Sequence, residues 1–368
     1  MDAIIRGHNS IGEKHRGCLP YSKYSWMLSA FYVLMLAFIA LVNILVDPYG
    51  VFRSNFFVPT NVNERFSKIY HLDDKNADYD TYILGSSTAG LIRPASLVRY
   101  LPGAKVYNLY VSNGDIVDYD ILLKYMLKRR FPIKTILLQL DPDAFLRPST
   151  NIDYSRRHLP QVSGEPWINF YTDYLFSFSP TYVWEKIDAS LERRQSWLDV
   201  EKTGTWRNIP AEGIDPHEWS KREPTFSLKV ASEYKGENLP SKIALLEDFL
   251  SLAKRENIKV LIMTQASNHI EMNYWDIPAY LKLLSEISKV TNFWDFGGYN
   301  SVTKNNDNYY DIHHARPEIS QLMLADVFGE SAASIPSDFG VFITAMNADT
   351  VIADRARNLL VSRRQESQ

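Results

Sequence analysis

The sequence predicts an α/β domain built on a central parallel sheet and carried on one N-terminal transmembrane helix. Three observations predict it. An uncharged, apolar run extends from Tyr24 to Val46. Past it, short runs rich in β-branched, aliphatic and aromatic residues recur at 81–84, 105–109, 134–140, 259–264 and 292–296. Amphipathic helical patterns fall between these runs, and strand–helix alternation of that kind argues for a parallel sheet.

The apolar run comes first. Lys23 closes it on one side and Asp47 on the other. About 20 apolar residues cross a bilayer as a helix. Tyr24 and Trp26 at one end and Tyr49 past the other stand where an aromatic belt would be. Asp47-Pro48-Tyr49-Gly50 stops the helix, because proline and glycine cannot continue it. Arg6, Lys14, Arg16 and Lys23 precede the run, whereas only Arg53 and Arg65 occur in the twenty residues after it. By the positive-inside rule, residues 1–23 are a cytoplasmic tail, 24–46 the anchor, and the remainder lies outside. A cleaved signal peptide is the alternative. The run is longer than a normal signal h-region, and no A-x-A-like site follows it.

The strands and helices follow in order. Thr81–Leu84 ends at Gly85. Lys105–Leu109, Lys134–Leu140, Lys259–Thr264 and Asn292–Phe296 complete a series of short strands suited to burial on both faces. Asp115–Arg130 begins with acids and ends with bases, which matches the helix dipole. Ser241–Arg255 is amphipathic, and Ile277–Val290 and Pro317–Phe328 have helical patterns. The main domain is assigned to 47–330. Within it, about 145–238 lacks a strand of the series and holds Trp167, Trp184, Trp197, Trp206 and Trp219, together with Tyr154, Tyr171, Tyr174 and Tyr182. It is expected to cover the strand ends as a lid or carbohydrate-contacting surface, or to form a small satellite core. Residues 331–368 are expected to form a peripheral helical segment, with a helix over 348–364.

Composition narrows the function. Hydrophobic residues make up 45% and charged residues 23%, ordinary for a folded domain. A net charge of -3 offers no basis for binding nucleic acid. The single cysteine, Cys18, lies on the expected cytoplasmic side, so no disulfide framework or cysteine metal site is possible outside. It is either inert or an acylated juxtamembrane thiol. His313 beside His314 lacks a spaced set of metal ligands, and His269 fits a loop. There is no Walker loop, G-x-G-x-x-G or H-E-x-x-H. No metal and no cofactor are expected.

Two short motifs carry chemistry. Ile83-Leu84-Gly85-Ser86-Ser87-Thr88 takes a strand into a tight turn, where ligands gather beyond the carboxyl ends of parallel strands. A serine there is exposed, and N–H groups of the turn can hold an oxyanion; otherwise the serines simply cap a helix. Tyr310-Asp311-Ile312-His313-His314 follows the last strand of the series. Histidine activates a serine by taking its proton, and a carboxylate fixes the histidine tautomer. Asp311 and His314 are three apart, so one turn can bring them together. Both motifs fall on the same predicted sheet edge. Asp141 and Asp143 in Leu140-Asp141-Pro142-Asp143 are a weaker pair, either glycosidase carboxylates or a capped loop.

Together these motifs resemble the SGNH/GDSL hydrolase superfamily over about residues 78–330, excluding the aromatic insertion. The resemblance implies a flavodoxin-like three-layer sandwich with a Ser-His-Asp triad. Its first block matches Gly85-Ser86-Ser87 and makes Ser87 the nucleophile, with Ser86 the alternative. Its last block matches Asp311 and His314. Its second-block glycine best matches Gly114, so the oxyanion hole would use Ser87 and Gly114. The asparagine of the family's third block is missing, since Asp141-Pro142-Asp143 stands there. Asn113 or a backbone N–H would then substitute, or the site is weakened or dead. The Gly-Ser-Ser block, the anchor and the late Asp-x-x-His are also similar to the membrane-anchored SGNH-like proteins of bacterial envelope acylation. That similarity implies an esterase or O-acyltransferase outside the bacterial inner (plasma) membrane, in the periplasm or extracellular. The partners implied are an envelope polysaccharide or acyl donor and a multi-spanning membrane acyltransferase. The alternative is a non-catalytic scaffold or glycan-binding accessory protein of exopolysaccharide assembly.

Overall fold

A computed structural model describes residues 21–58, 62–75, 78–147, 157–192, 196–228, 234–330 and 335–366. Most of the expected cytoplasmic tail, with Arg6, Lys14, Arg16 and Cys18, lies outside the described residues, as does Tyr154. Helix α1, Tyr21–Leu45, is continuous. Its segment Lys23–Leu45 has a mean hydropathy of 2.4 and is only 6% buried, so it is not a core helix. At about 1.5 Å per residue it is long enough for a hydrocarbon layer of about 30 Å. Its length and composition suit a membrane span or a signal sequence. Past its end, the Asp47 carboxylate accepts the N–H groups of Val51, Phe52 and Ser54 at 2.8, 3.1 and 3.2 Å, which turns the chain sharply.

The chain continues through α2 (Glu64–Lys75), β1 (Thr81–Leu84), α3 (Pro94–Val98), β2 (Val106–Asn108) and α4 (Ile116–Lys128). Next come β3 (Thr135–Leu140) and α5 (Pro142–Leu146), then the helices α6 (Pro160–Ser163), α7 (Trp167–Phe176), α8 (Pro180–Leu191) and α9 (Pro216–Ser220). The chain then rejoins the sheet through α10 (Leu239–Arg255), β4 (Lys259–Thr264), α11 (His269–Met272), α12 (Ile277–Val290) and β5 (Phe293–Asp295). It finishes with α13 (Pro317–Val327), β6 (Val341–Ile343) and α14 (Ala348–Glu366).

The six strands form one sheet in the order β2-β1-β3-β4-β5-β6. All neighbouring pairs are parallel except β5–β6. Successive residues of a strand face opposite sides, and both sides are buried. Tyr82, Leu84, Ile136, Leu138 and Ile262 enter one core with α4, α10 and α12. Ile83, Leu137 and Met263 enter the other with α3 and α13. The order 2-1-3-4-5 of the parallel strands puts the reversal of winding between β1 and β3, where ligands gather at the strand carboxyl ends.

The sequence expectation for β1 and β4 coincides with the observed strands, and β2, β3 and β5 lie inside their expected runs. β6 was not expected. Three residues after Gly340, a glycine at φ 79°, are too few to establish a period. The segment after 331 therefore adds a strand to the sheet as well as α14. Arg355 of α14 is fixed to Asp295 of β5 by an Nε–Oδ2 bond of 3.1 Å in the interior. Among the described residues of the aromatic insertion no strand joins the sheet; isolated bridges form there, Leu198 with Trp206 (antiparallel) and Tyr234 with Trp275 (parallel).

Candidate active site

The β1 strand ends at Leu84, and the next residue has no side chain for a reason. A Cβ on Gly85 would stand 2.5 Å from the Ala89 Cβ and 3.0 Å from the Gln139 carbonyl oxygen. The chain can therefore turn tightly against β3 only with glycine there. The two serines after it have different fates. Ser86 is 3% exposed and its hydroxyl donates to Asp141 Oδ2. Its Oγ also accepts the Thr88 N–H at 3.3 Å, and Thr88 Oγ1 donates to Asp141 Oδ1 at 2.9 Å. Gln139 Nε2 holds Thr88 Oγ1 from the other side at 2.6 Å. Ser86 and Asp141 thus brace the turn from beneath.

Ser87 is half-buried and faces the other way. Its Oγ lies 2.8 Å from His314 Nε2. His314 Nδ1 lies 2.9 and 2.8 Å from the two oxygens of Asp311. Asp311 also accepts the N–H groups of His313 and His314 at 2.8 and 2.9 Å, so one turn of chain aims carboxylate and ring at each other. With the proton on Nδ1, Nε2 presents its lone pair to the serine hydroxyl. Burial pushes the Asp311 carboxyl up, but the bond from His314, its charge and the His313 N–H outweigh that, and the pKa falls below the usual value. Ser87, distant in sequence from the Asp311–His314 pair, forms one hydrogen-bonded chain with it at the carboxyl edge of the sheet.

An open cavity of about 390 Å³ lies over this chain, bordered by Ser87, Asp311 and His314 together with Tyr110, Trp197 and Trp206. That volume falls in the range of small-ligand sites. Trp206 is its main wall. The indole stands edge-on to the His314 ring at 5.0 Å and 84°, and Nε1 donates to the Ser87 carbonyl at 2.7 Å. Gly90 makes room for it, since a Cβ there would fall 2.4 Å from Trp206 Cδ1. Trp219 Nε1 donates to the Tyr310 carbonyl at 2.6 Å, one residue before Asp311. Three of the insertion's tryptophans therefore serve this site, while Trp167 and Trp184 are 50% and 65% exposed elsewhere. A larger cleft of about 1290 Å³ shares Trp206, Arg207 and Asn208 with the cavity and runs to Asp47, Gly50 and Arg53 past α1.

The remaining sequence candidates lie differently. Gly114 and Asn113 do not border the cavity; Ser112 does. The Gly114 N–H donates to the Val111 carbonyl at 2.9 Å, closing a turn that a side chain would obstruct, as a Cβ there would fall 2.5 Å from Val111 Cγ2. Asn113 has φ 54°, a left-handed conformation that asparagine tolerates. Its side-chain oxygen accepts from Arg147 Nη1 and its carbonyl from Arg147 Nη2 at 3.1 Å. Asp141, at the place of the missing asparagine, is bonded to Ser86 and Thr88. Burial raises its carboxyl, the bonds from Ser86 and Thr88 lower it in part, and it titrates at about 6. Asp143 is also raised by burial.

Several contributors gave no recognisable signal in the sequence. Lys68 of α2 is fully buried and donates to the carbonyls of Asn108 and Tyr110 at 3.2 and 2.9 Å, with Nζ 3.3 Å from the Tyr110 ring centroid. Burial lowers its pKa strongly. Glu64 Oε1 accepts the Ser112 N–H at 2.7 Å. The Asn108 amide donates to the carbonyls of Ala89 and Ile92 at 2.8 and 2.9 Å. These three side chains lock the loop after β2 against the turn that carries Ser86 and Ser87. Beside the Asp311–His314 pair, His313 Nδ1 lies 3.0 Å from Glu271 Oε1. Burial raises Glu271 to about 7 despite the charge of His313, whereas His313, itself opposed by burial, is raised to about 9 by Glu271. Among the described residues no group of three or more His, Cys, Asp or Glu side chains is placed to hold a metal ion.

Neither a protein-family model nor a curated protein matches the chain.

Proposed function

We propose that the chain is a serine esterase or O-acyltransferase of the SGNH type, acting on an envelope glycan outside the cytoplasm. The observation that carries this reading is the unbroken hydrogen-bonded chain Ser87 Oγ–His314 Nε2, His314 Nδ1–Asp311 at the open end of a parallel sheet. In this reading His314 takes the Ser87 proton as Oγ attacks an acyl carbonyl. The tetrahedral oxyanion collapses as His314 returns the proton to the leaving alcohol, leaving an acyl-serine. Water or a sugar hydroxyl then attacks that ester, again deprotonated by His314, and Ser87 is released. Asp311 orients His314 and balances its positive charge through both steps. The Ser87 N–H, which makes no bond to a protein acceptor among the described residues, is the oxyanion donor this chain offers.

The strand order 2-1-3-4-5 is the flavodoxin-type order that the SGNH resemblance implies. The large cleft meeting the cavity at Trp206 suits a substrate bigger than a simple ester. An α1 anchor with its N-terminus in the cytoplasm would hold the domain on the outer side of a bacterial inner membrane, within reach of a multi-spanning acyltransferase partner. A second reading, a non-catalytic glycan-binding scaffold, draws on the engagement of Gly114 with Val111 and of Asn113 with Arg147, which leaves a sparse oxyanion hole.

The test is covalent labelling of the full-length protein with a fluorophosphonate probe, mapped by mass spectrometry. Labelling is expected at Ser87, unaffected in kind by Ser86→Ala and abolished in Ser87→Ala and His314→Ala. Absence of labelling in folded protein would favour the scaffold.

A further inference from the structure

We infer that the α7–α8 pair of the insertion rests in the headgroup region of the lipid bilayer, as a second membrane contact beside α1. The pair is tied to the end of α1. Asn43, fully buried, donates through Nδ2 to the carbonyls of Leu175 and Ser177 at 2.9 and 2.7 Å. The Tyr49 ring packs edge-on against Tyr174 at 5.3 Å and Tyr182 at 5.7 Å. Lys186 of α8, also buried, donates to the Asp47 carbonyl. Asn43 stands two residues before the end of the apolar segment at Leu45, about 3 Å along the helix axis. With α1 in the bilayer, the turn joining α7 to α8 is therefore held at the depth of the membrane interface.

The surface at that depth has the chemistry of an interface. Between Glu165 and Glu185 the only charged residue is Asp173. Ile168, Phe178 and Trp184 are 69%, 46% and 65% exposed, and Trp167 and Phe176 are exposed with them. Tryptophan and other aromatic side chains collect where one end of the ring is apolar and the other wet. Isolated exposed apolar residues need no explanation, but a cluster of large ones in one nearly uncharged segment marks an interaction surface. Trp167 and Trp184 border neither the cavity over Ser87 nor the larger cleft, which separates this surface from the substrate side. Seated this way, the domain would present the α1 end of the larger cleft to the membrane surface. The inference rests on α1 lying in the membrane and is independent of the chemistry at Ser87.

Depth-dependent fluorescence quenching tests it on the full-length chain in phosphatidylcholine nanodiscs. In a Cys18→Ser background, single cysteines replace Leu36 in α1, Phe178, Trp184, and Phe342 on the exposed sheet edge, each carrying a bimane. Lipids bearing a doxyl group near the headgroup are expected to quench Phe178→Cys and Trp184→Cys several-fold more than Phe342→Cys. Lipids with the doxyl group deep in the chain should quench Leu36→Cys. If Leu36→Cys is quenched while positions 178 and 184 behave like 342, the inference is overturned with the anchor intact. An unquenched Leu36→Cys overturns it by removing the anchor. Positions 178 and 184 that escape lipid quenching, yet are shielded from iodide in native membranes, overturn it in favour of a protein partner.

Discussion

Asp311 and Asp141 flank the same Ser86–Ser87 turn, each within hydrogen-bonding distance of a side chain that orders it, and their environments oppose each other. Asp311 accepts two backbone N–H groups and the His314 ring, and its ionised form is favoured. Asp141 accepts only neutral hydroxyls, from Ser86 and Thr88, in a buried setting that disfavours its charge. Asp143 and Glu271 share that setting and act on one another through space. The difference separates two jobs. Donors surround the carboxyl that orients the His314 ring and hold it below its usual value, while burial raises the carboxyl that fastens Ser86 and Thr88 to about 6.

The largest expected effect breaks the comparison on the Asp311 side. Asp311→Asn keeps the shape but favours the wrong histidine tautomer, and a loss of about 10⁴ in kcat is expected by analogy with other triads, about 5.5 kcal/mol of transition-state stabilisation. His314→Ala should be comparably damaging. His313→Gln, which leaves the triad untouched, should retain kcat within about tenfold. The check is steady-state hydrolysis of p-nitrophenyl acetate by the full-length protein. A His313 variant as damaged as the His314 variant would move the general base to the wrong neighbour and refute the assignment.

Asp141→Asn sharpens the other side. A carboxyl raised from 3.8 to about 6 by folding stabilises the protein fully below pH 3.8 and loses that contribution as pH rises through 6. The neutral amide has no such limb. The variant should therefore match the wild type in stability near pH 4 and exceed it near pH 8, by an amount on the order of 3 kcal/mol. Thermal melts of the detergent-solubilised chain at the two pH values decide it. A variant less stable than wild type at pH 8 would mean that the Ser86 and Thr88 bonds depend on the full negative charge.

Much of this was legible beforehand because it is periodic or local. β1 and β4 announced themselves as compact runs bounded by turns, and Asp311 with His314 as a pair one turn apart. The strand β6 did not, since three residues carry no period and their role comes from pairing with β5. Trp206 is the clearest omission at the site. It was one of five tryptophans in an insertion, and only the close approach at Gly90 and the bond to the Ser87 carbonyl single it out. Lys68 was equally silent, because a lysine in an amphipathic helix is ordinarily solvated, whereas here the loop after β2 closes over it. Gly114 and Asn113 stand away from the cavity for a related reason. A glycine in the right motif register can be present to relieve crowding, as at Gly114, without offering its N–H to a ligand.

The smallest effect concerns the residue that joins the two environments. His313 pairs with buried Glu271 yet its own side chain is 49% exposed. Its raised pKa means that it stabilises the fold fully below about 6.5 and that this contribution fades as pH climbs through about 9. Glu271, raised to about 7, loses its own contribution over a lower window, from its ordinary carboxylate range upward. Wild-type stability should therefore decline between pH 7 and 9, and His313→Gln should flatten that limb. Solvent screening of the half-exposed ring limits the change to about 1 kcal/mol or less. A histidine proton titration followed by NMR measures the pair directly. The His313 resonance should titrate near 9 in the wild type and fall toward 6.5 in Glu271→Gln, while a resonance already near 6.5 in the wild type would show that the pair is too well solvated to link the two sides.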